Sequence, residues 1–138
     1  MTAEPQDAPA LFHALLDHLG RLDFEGLEAL LHPDAVFEFP FRQENPTSVG
    51  REAILERLRS GMGQNFVRMD FTIGDVHLCQ DPNLVIAEYE SVGQLTSGRE
   101  YRNRYVGLVR VRNGQVEIFR EYFNPLAMAR ATGQRGCG

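Results

Sequence analysis

Residues 100–125 read EYRNRYVGLVRVRNGQVEIFREYFNP. Two runs rich in β-branched and aromatic residues flank Asn113-Gly114. That pair is a strong hairpin signal, because a two-residue type I′ turn needs positive φ at both central positions. With Asn113-Gly114 as the whole loop, Val111 faces Val116, Arg110 faces Glu117, Leu108 faces Phe119, Val106 faces Glu121 and Arg104 faces Phe123. Opposed residues share a sheet face. One face is therefore expected to carry Arg104, Val106, Leu108, Phe119, Glu121 and Phe123. The other carries Asn103, Tyr105, Gly107, Val109, Val111, Val116, Ile118, Arg120 and Tyr122. Glu121 is then a carboxylate set between two phenylalanines on a face that otherwise reads as a core, which makes it the most informative residue of the chain.

Upstream, the strand pattern continues. Val67, Met69, Phe71 and Ile73 alternate, Gly74 marks a candidate bulge, Asp81-Pro82-Asn83 forms a turn, and Leu84–Thr96 is the next strand before Ser97-Gly98. The N-terminal third is helical. Asp7 can cap a first helix whose stripe is Leu11, Phe12, Leu15, Leu16 and Leu19; Gly20 ends it. Asp23 can cap a second, which His32-Pro33 stops. A short strand, Ala35–Phe41, points Phe37, Phe39 and Phe41 to one side, and residues 42–48 read as a polar loop. Gly50 opens a third helix with Ile54, Leu55, Leu58 and Met62 inside. After Pro125 comes a helical turn, LAMARA.

Three helices followed by long antiparallel strands predict an α+β fold, the helices packed in the concave face of a curved, mostly antiparallel sheet. At 138 residues and 43% hydrophobic content the chain is one domain, 1–138, with 1–7 and 132–138 expected to be flexible. A net charge of −5 and a pI near 5.3 argue against a nucleic-acid partner, which calls for a basic footprint. No apolar run approaches membrane-spanning length, and MTAEPQDAPA lacks the basic-then-apolar order of a signal peptide. Cys79 and Cys137 make a poor disulfide framework, so reduced thiols and a cytoplasmic location are expected. His13, His18, His32 and His77 form no ligand motif, so neither a metal nor another cofactor is expected.

The segments LLHPDAVFEFPF, VGREAI and GREYRNRYVGLVRVRNGQVEIFREYFNPLA together resemble the SnoaL-like polyketide-cyclase branch of the nuclear-transport-factor-2-like superfamily. The tail NGQVEIFREYFNPLAMARATG is similar to that of the phenazine-biosynthesis A/B proteins. The resemblance covers nearly the whole chain and implies a conical α+β barrel with a closed pocket, paired as a homodimer through the convex sheet face. It places Glu121 where the phenazine proteins have a pocket glutamate proposed as an acid, and Phe123 where ketosteroid isomerases have a pocket aromatic. It also shows departures. Phe39 stands where those isomerases carry their base aspartate, Leu15 near their oxyanion-hole tyrosine, and Val106 or Gly107 near their neutral aspartate. Steroid isomerisation is therefore disfavoured, and the arginine-and-two-aspartates set of limonene-epoxide hydrolases is not recognisable.

Two readings of Glu121 stand side by side. Desolvated between Phe119 and Phe123, it is a pocket acid for cyclisation or isomerisation of an aromatic or polyketide-like molecule. Paired with Arg104 on the next strand, it is an ionised structural group. Tyr89 and Ser91 fall on the same face and either bind a ligand or merely line the cavity. His18 could reach the cavity from the first helix, and Arg104 could anchor a carboxylate substrate. Glu88 is expected to meet Arg120 across Gly107, on an outer face bearing Glu90, Tyr105, Val109, Ile118 and Tyr122 that suits a homodimer interface. The expected function is a small-molecule pocket protein for a hydrophobic or aromatic ligand. The alternative is a non-catalytic binding or dimerisation module of the same fold.

Overall fold

A computed structural model describes residues 7–132. The elements run α1 (Ala8–Gly20), α2 (Phe24–Leu30), β1 (Leu31–Glu38), β2 (Thr47–Val49), α3 (Arg51–Ser60), α4 (Met62–Asn65), β3 (Phe66–Leu78), β4 (Leu84–Leu95), β5 (Glu100–Arg112), β6 (Gln115–Phe123) and α5 (Ala127–Thr132). The strands form one curved, unclosed sheet in the order β2-β1-β6-β5-β4-β3. Among the described strands only the β1–β6 pair is parallel. Helices α1 to α3 cover the inner face, as the α+β reading requires.

Local chemistry sets the helix ends. Asp7 Oδ1 accepts from Ala10 N at 2.7 Å and Asp23 Oδ1 from Gly26 N at 3.0 Å, each satisfying one free amide of a helix start. The α1 stripe Leu11, Phe12, Leu15, Leu16 and Leu19 is buried against the sheet. Each such side chain contributes roughly 1.5–3 kcal/mol of hydrophobic stabilisation before the entropy of ordering is charged against it. Three boundaries differ from the sequence reading. The second helix stops at Leu30, because Leu31 already pairs with Val116 of β6. The 42–48 loop ends in a short strand, β2, and Met62 begins a separate turn of helix, α4.

The strand registers hold the main corrections. Asn113 and Gly114 have φ of 52° and 74°, as the type I′ turn demands, and Val111 does face Val116. Beyond that pair Glu117 is an extra residue, and Arg110 faces Ile118. This bulge shifts the rest of β6 by one, so Val109 faces Phe119, Gly107 faces Glu121 and Tyr105 faces Phe123. At the other end of β5 the loop is three residues, Thr96-Ser97-Gly98. Gly98 has φ of +92° and donates to Leu95 O at 2.8 Å. Glu88 consequently faces Val106, and Tyr89 faces Tyr105. The two one-residue slips cancel between β4 and β6 but leave β5 turned over. Arg104 and Val106 lie on the outer face, whereas Tyr105, Gly107 and Val109 lie inside.

Candidate functional site

Glu121 is held on β6 between Phe119 and Phe123, on the inner face. Its residue is 9% exposed. Tyr89 on β4 reaches across β5 and donates its hydroxyl to Glu121 Oε2 at 2.5 Å. The reach is possible because the intervening residue is Gly107. A Cβ there would come within 2.6 Å of the Tyr89 hydroxyl and 2.9 Å of Phe12 Cζ. Burial raises the Glu121 pKa to about 7, and the Tyr89 hydrogen bond opposes that rise. Burial, then the Glu121 charge, push the Tyr89 hydroxyl well above its usual range, so it stays a donor.

The second carboxyl oxygen is open. Among the described residues Oε1 has no hydrogen-bond partner, yet no fully buried side-chain polar atom is left unpartnered. Oε1 is therefore not fully enclosed by the surrounding protein. Around it the wall is aromatic: Phe39 lies edge-on to both Phe119 and Phe123, at 6.3 and 6.2 Å between ring centroids, and thus spans Glu121. Phe12 and Phe71 meet Tyr89 at 5.5 and 6.0 Å. A neutral carboxyl in such surroundings can donate a proton through Oε1, and its ionised form can take one back.

Tyr105 stacks on Tyr89 at 4.8 Å with rings 15° apart, but its hydroxyl points the other way, to Ser91 Oγ at 2.6 Å. Beyond it Asn103 Nδ2 donates to Tyr101 Oη at 2.7 Å. This second polar group is buried and internally satisfied.

The sequence-derived residues separate accordingly. The structure brings Glu121, Tyr89, Phe119, Phe123 and Phe39 together, with Ser91 one hydrogen bond away behind Tyr105. It separates the others. Arg104 is on the outer face with its side chain 91% exposed, 4.0 Å from Glu90, so it does not pair with Glu121 on the inner face. Val106 is 43% exposed on that same outer face. His18 turns to Asp23 Oδ2 at 2.9 Å and bolts α1 to α2. Leu15 is an ordinary core residue. The expected Glu88–Arg120 contact is absent; Glu88 binds His77 Nε2 at 2.8 Å and Arg120 binds Glu38 at 3.4 Å. Tyr105, Gly107, Phe12 and Phe71 were missed. A three-residue reading of Thr96-Ser97-Gly98 would have found Tyr105, since it sets that tyrosine beside Tyr89. Among the described residues no group of three or more His, Cys, Asp and Glu is placed to hold a metal. No helix of the described chain is long and apolar enough to cross a membrane.

Residues 12–118 match the SnoaL-like domain. A PhzA/B-like protein of Pseudomonas aeruginosa is 32% identical over 114 residues, which span 80% of this chain and 79% of that one. An isomerase candidate from Bacillus subtilis superposes with a TM-score of 0.82 at 28% identity, covering 93% of this chain and 94% of that one. The Mycobacterium tuberculosis protein Rv0760c, solved with estradiol-17β-hemisuccinate, superposes with a TM-score of 0.75 over 88% of this chain and 98% of its own. At 19% identity that likeness concerns the fold alone.

Proposed function

The chain belongs to the SnoaL-like domain family, and on that premise we propose that it binds a small hydrophobic or aromatic molecule and moves a proton on it through Glu121. The observation that carries this reading is a buried carboxyl set between Phe119 and Phe123, with one oxygen fixed by Tyr89 and the other without a hydrogen-bond partner among the described residues. Tyr89 orients the acid and moderates its pKa; Phe39 and Phe123 contact the ligand body. A carbonyl oxygen or enolate set against Oε1 would receive the proton, and the carboxylate left behind would accept one from the adjacent carbon or from water. That exchange suits isomerisation or cyclisation without a cofactor. The steroid ester held by the mycobacterial fold relative agrees with an apolar ligand class.

The decisive measurement is a ¹³C NMR titration of the Glu121 carboxyl with and without 2-naphthol, whose binding is followed by fluorescence. The carboxyl should titrate near 7, the ligand should displace that titration, and Glu121→Gln should weaken binding several-fold. An ordinary pKa of about 4.3, or a titration indifferent to ligand, would defeat the reading. A non-catalytic binder is the second reading, favoured by the absence, among the described residues, of any other buried carboxylate.

Homodimerisation through the outer face belongs to the same proposal. That face carries a depression of about 630 Å³ lined in part by Phe41, Thr72, Glu88, Glu90, Val106 and Tyr122. Phe41 is 54% exposed and packs edge-on against Tyr122 at 5.3 Å. An apolar patch of this kind is commonly covered by a partner. Sedimentation equilibrium should show a dimer that Val106→Arg dissociates; monomer alone at micromolar concentration would remove this part of the proposal.

A further inference from the structure

Strand side chains ordinarily stand upright on their sheet, but Tyr89 of β4 lies across β5 to reach Glu121 on β6. Gly107 clears that path. A cleared path does not by itself hold a phenol in it. Tyr105 directly opposes Tyr89 in the β4–β5 register, and its ring stacks on the Tyr89 ring at 4.8 Å and 15°. Phe71 of β3 closes against both rings, at 6.0 Å from Tyr89 and 5.8 Å from Tyr105. Phe12 of α1 meets Tyr89 edge-on at 5.5 Å. Aromatic contacts of this kind depend on spacing and angle, and a close-packed interior passes the shift of one ring to the next.

Tyr105 is anchored in turn. Its hydroxyl pairs at 2.6 Å with Ser91 Oγ, two residues beyond Tyr89 on β4. It also meets Met69 Sδ at 3.9 Å, a weak acceptor that does not replace the serine. Ser91 and Tyr105 are both buried, so losing Ser91 Oγ takes from an enclosed hydroxyl its strong partner. The two stacked phenols thus have their hydroxyls drawn apart, one by Glu121 and the other by Ser91.

We propose that Tyr105 and Ser91 are positioning residues for the Glu121 acid: Ser91 pins the Tyr105 ring, and that ring holds the Tyr89 phenol across Gly107 with its hydroxyl on Oε2. This rests on the Glu121 reading for the chemistry and adds what keeps the acid's partner in place. Both residues act through Tyr89. Ser91, expected from the sequence to bind a ligand or line the cavity, has its hydroxyl committed to Tyr105 instead.

The test is a ¹³C NMR titration of the Glu121 carboxyl in wild type, Tyr89→Phe, Ser91→Ala, Tyr105→Phe and the Ser91→Ala/Tyr105→Phe double variant, with urea melts on each. Tyr89→Phe should shift the titration upward, because it removes the bond that holds the carboxyl pKa down. Ser91→Ala and Tyr105→Phe each remove one oxygen that does not bond Glu121, yet each should shift it upward too, by less. The double variant should shift it no further than the larger single change, since both break one link. If Ser91→Ala fails to fold, Tyr105→Phe breaks the same link from its other end. Lost stability with an unmoved titration in Ser91→Ala and Tyr105→Phe would show packing alone; it overturns the positioning role and leaves the Glu121 reading standing. An unmoved titration in Tyr89→Phe also overturns it. The chemistry is read separately, from 2-tetralone C–H exchange in D₂O by wild type and Glu121→Gln. Equal exchange there, with the titration still following Ser91 and Tyr105, keeps the positioning role and defeats the Glu121 reading.

Discussion

The two faces of strands β4 to β6 use the same residue types to opposite ends. Inside, the polar groups are buried and paired: Tyr89 with Glu121, Tyr105 with Ser91, and Asn103 with Tyr101. Outside, Glu88, Glu90, Arg104 and His77 are at least half exposed and make ion pairs in water. Glu88 and Glu90 flank Tyr89 in sequence but point to the exposed side, whereas Glu121 lies inside, where burial raises its proton affinity. The side of the sheet, rather than the strand or its neighbours in sequence, therefore decides what a carboxylate does. The largest effect should appear when the inner acid alone is neutralised. With 2-tetralone in D₂O, Glu121→Gln should reduce protein-dependent exchange of the acidic C–H by about 10²–10⁴-fold. Glu88→Gln should leave it intact. Equal exchange rates in the two variants, followed by NMR, would erase the contrast between the faces.

Stability against pH sharpens the same contrast. Glu121 holds its proton to about pH 7 in the fold, against an ordinary value of 4.5. The folded state thus gains relative to the unfolded one while the carboxyl is protonated. That contribution is complete below the unfolded value and is lost as pH rises through the folded one. The interval corresponds to roughly 3 kcal/mol. Urea melts from pH 4 to 8 should show wild type losing about that much more than Glu121→Gln, whose amide still accepts from Tyr89 and has no charge to bury. A Gln variant that is instead the less stable protein at pH 8 would mean that Glu121 is a needed anion.

How much of this was legible in the sequence depends on the length scale of the signal. Helix caps at Asp7 and Asp23, the α1 stripe, the Asn113-Gly114 turn and the bulge near Gly74 are local, and composition alone marks them. Register is not local. A bulge at Glu117 is sterically silent in a run of alternating residues, and a serine-glycine loop can be two residues or three. Either slip inverts a strand, which is why Arg104 and Val106 were expected beside Glu121 and Tyr105 was not. Glu121 itself remained visible because two flanking phenylalanines mark its face whatever β5 does. Gly107 could not be read as the gap for Tyr89, because its partner strand lay one residue out of place.

Gly107 now offers the next smaller effect. Alanine there should displace the Tyr89 hydroxyl and strain Phe12, at a cost of about 1–3 kcal/mol in denaturant melts. Since the Tyr89 hydrogen bond holds the Glu121 pKa down, Gly107→Ala and Tyr89→Phe should both move it further up in the NMR titration. A destabilised Gly107→Ala protein with an unmoved titration would show that the glycine serves packing alone.

The smallest effect belongs to the outer face. His77 and Glu88 meet at 2.8 Å, with each side chain 54% exposed. A pair so placed gains little from attraction, because water and salt screen it and two mobile side chains must be held still. Glu88→Gln should therefore change stability by no more than about 0.5 kcal/mol at neutral pH, although Glu88 adjoins the residue that grips Glu121. The variant also leaves the Tyr89 backbone pairing with Tyr105 untouched, so the Glu121 titration should not move. If the outer face is covered by a second copy, the pair loses its water, and the same substitution becomes costly in the dimer only. Melts at a tenfold range of protein concentration separate the two situations. A cost above about 2 kcal/mol that does not vary with concentration would mean that the faces are coupled through the strand, and that the side of the sheet is not what divides their chemistry.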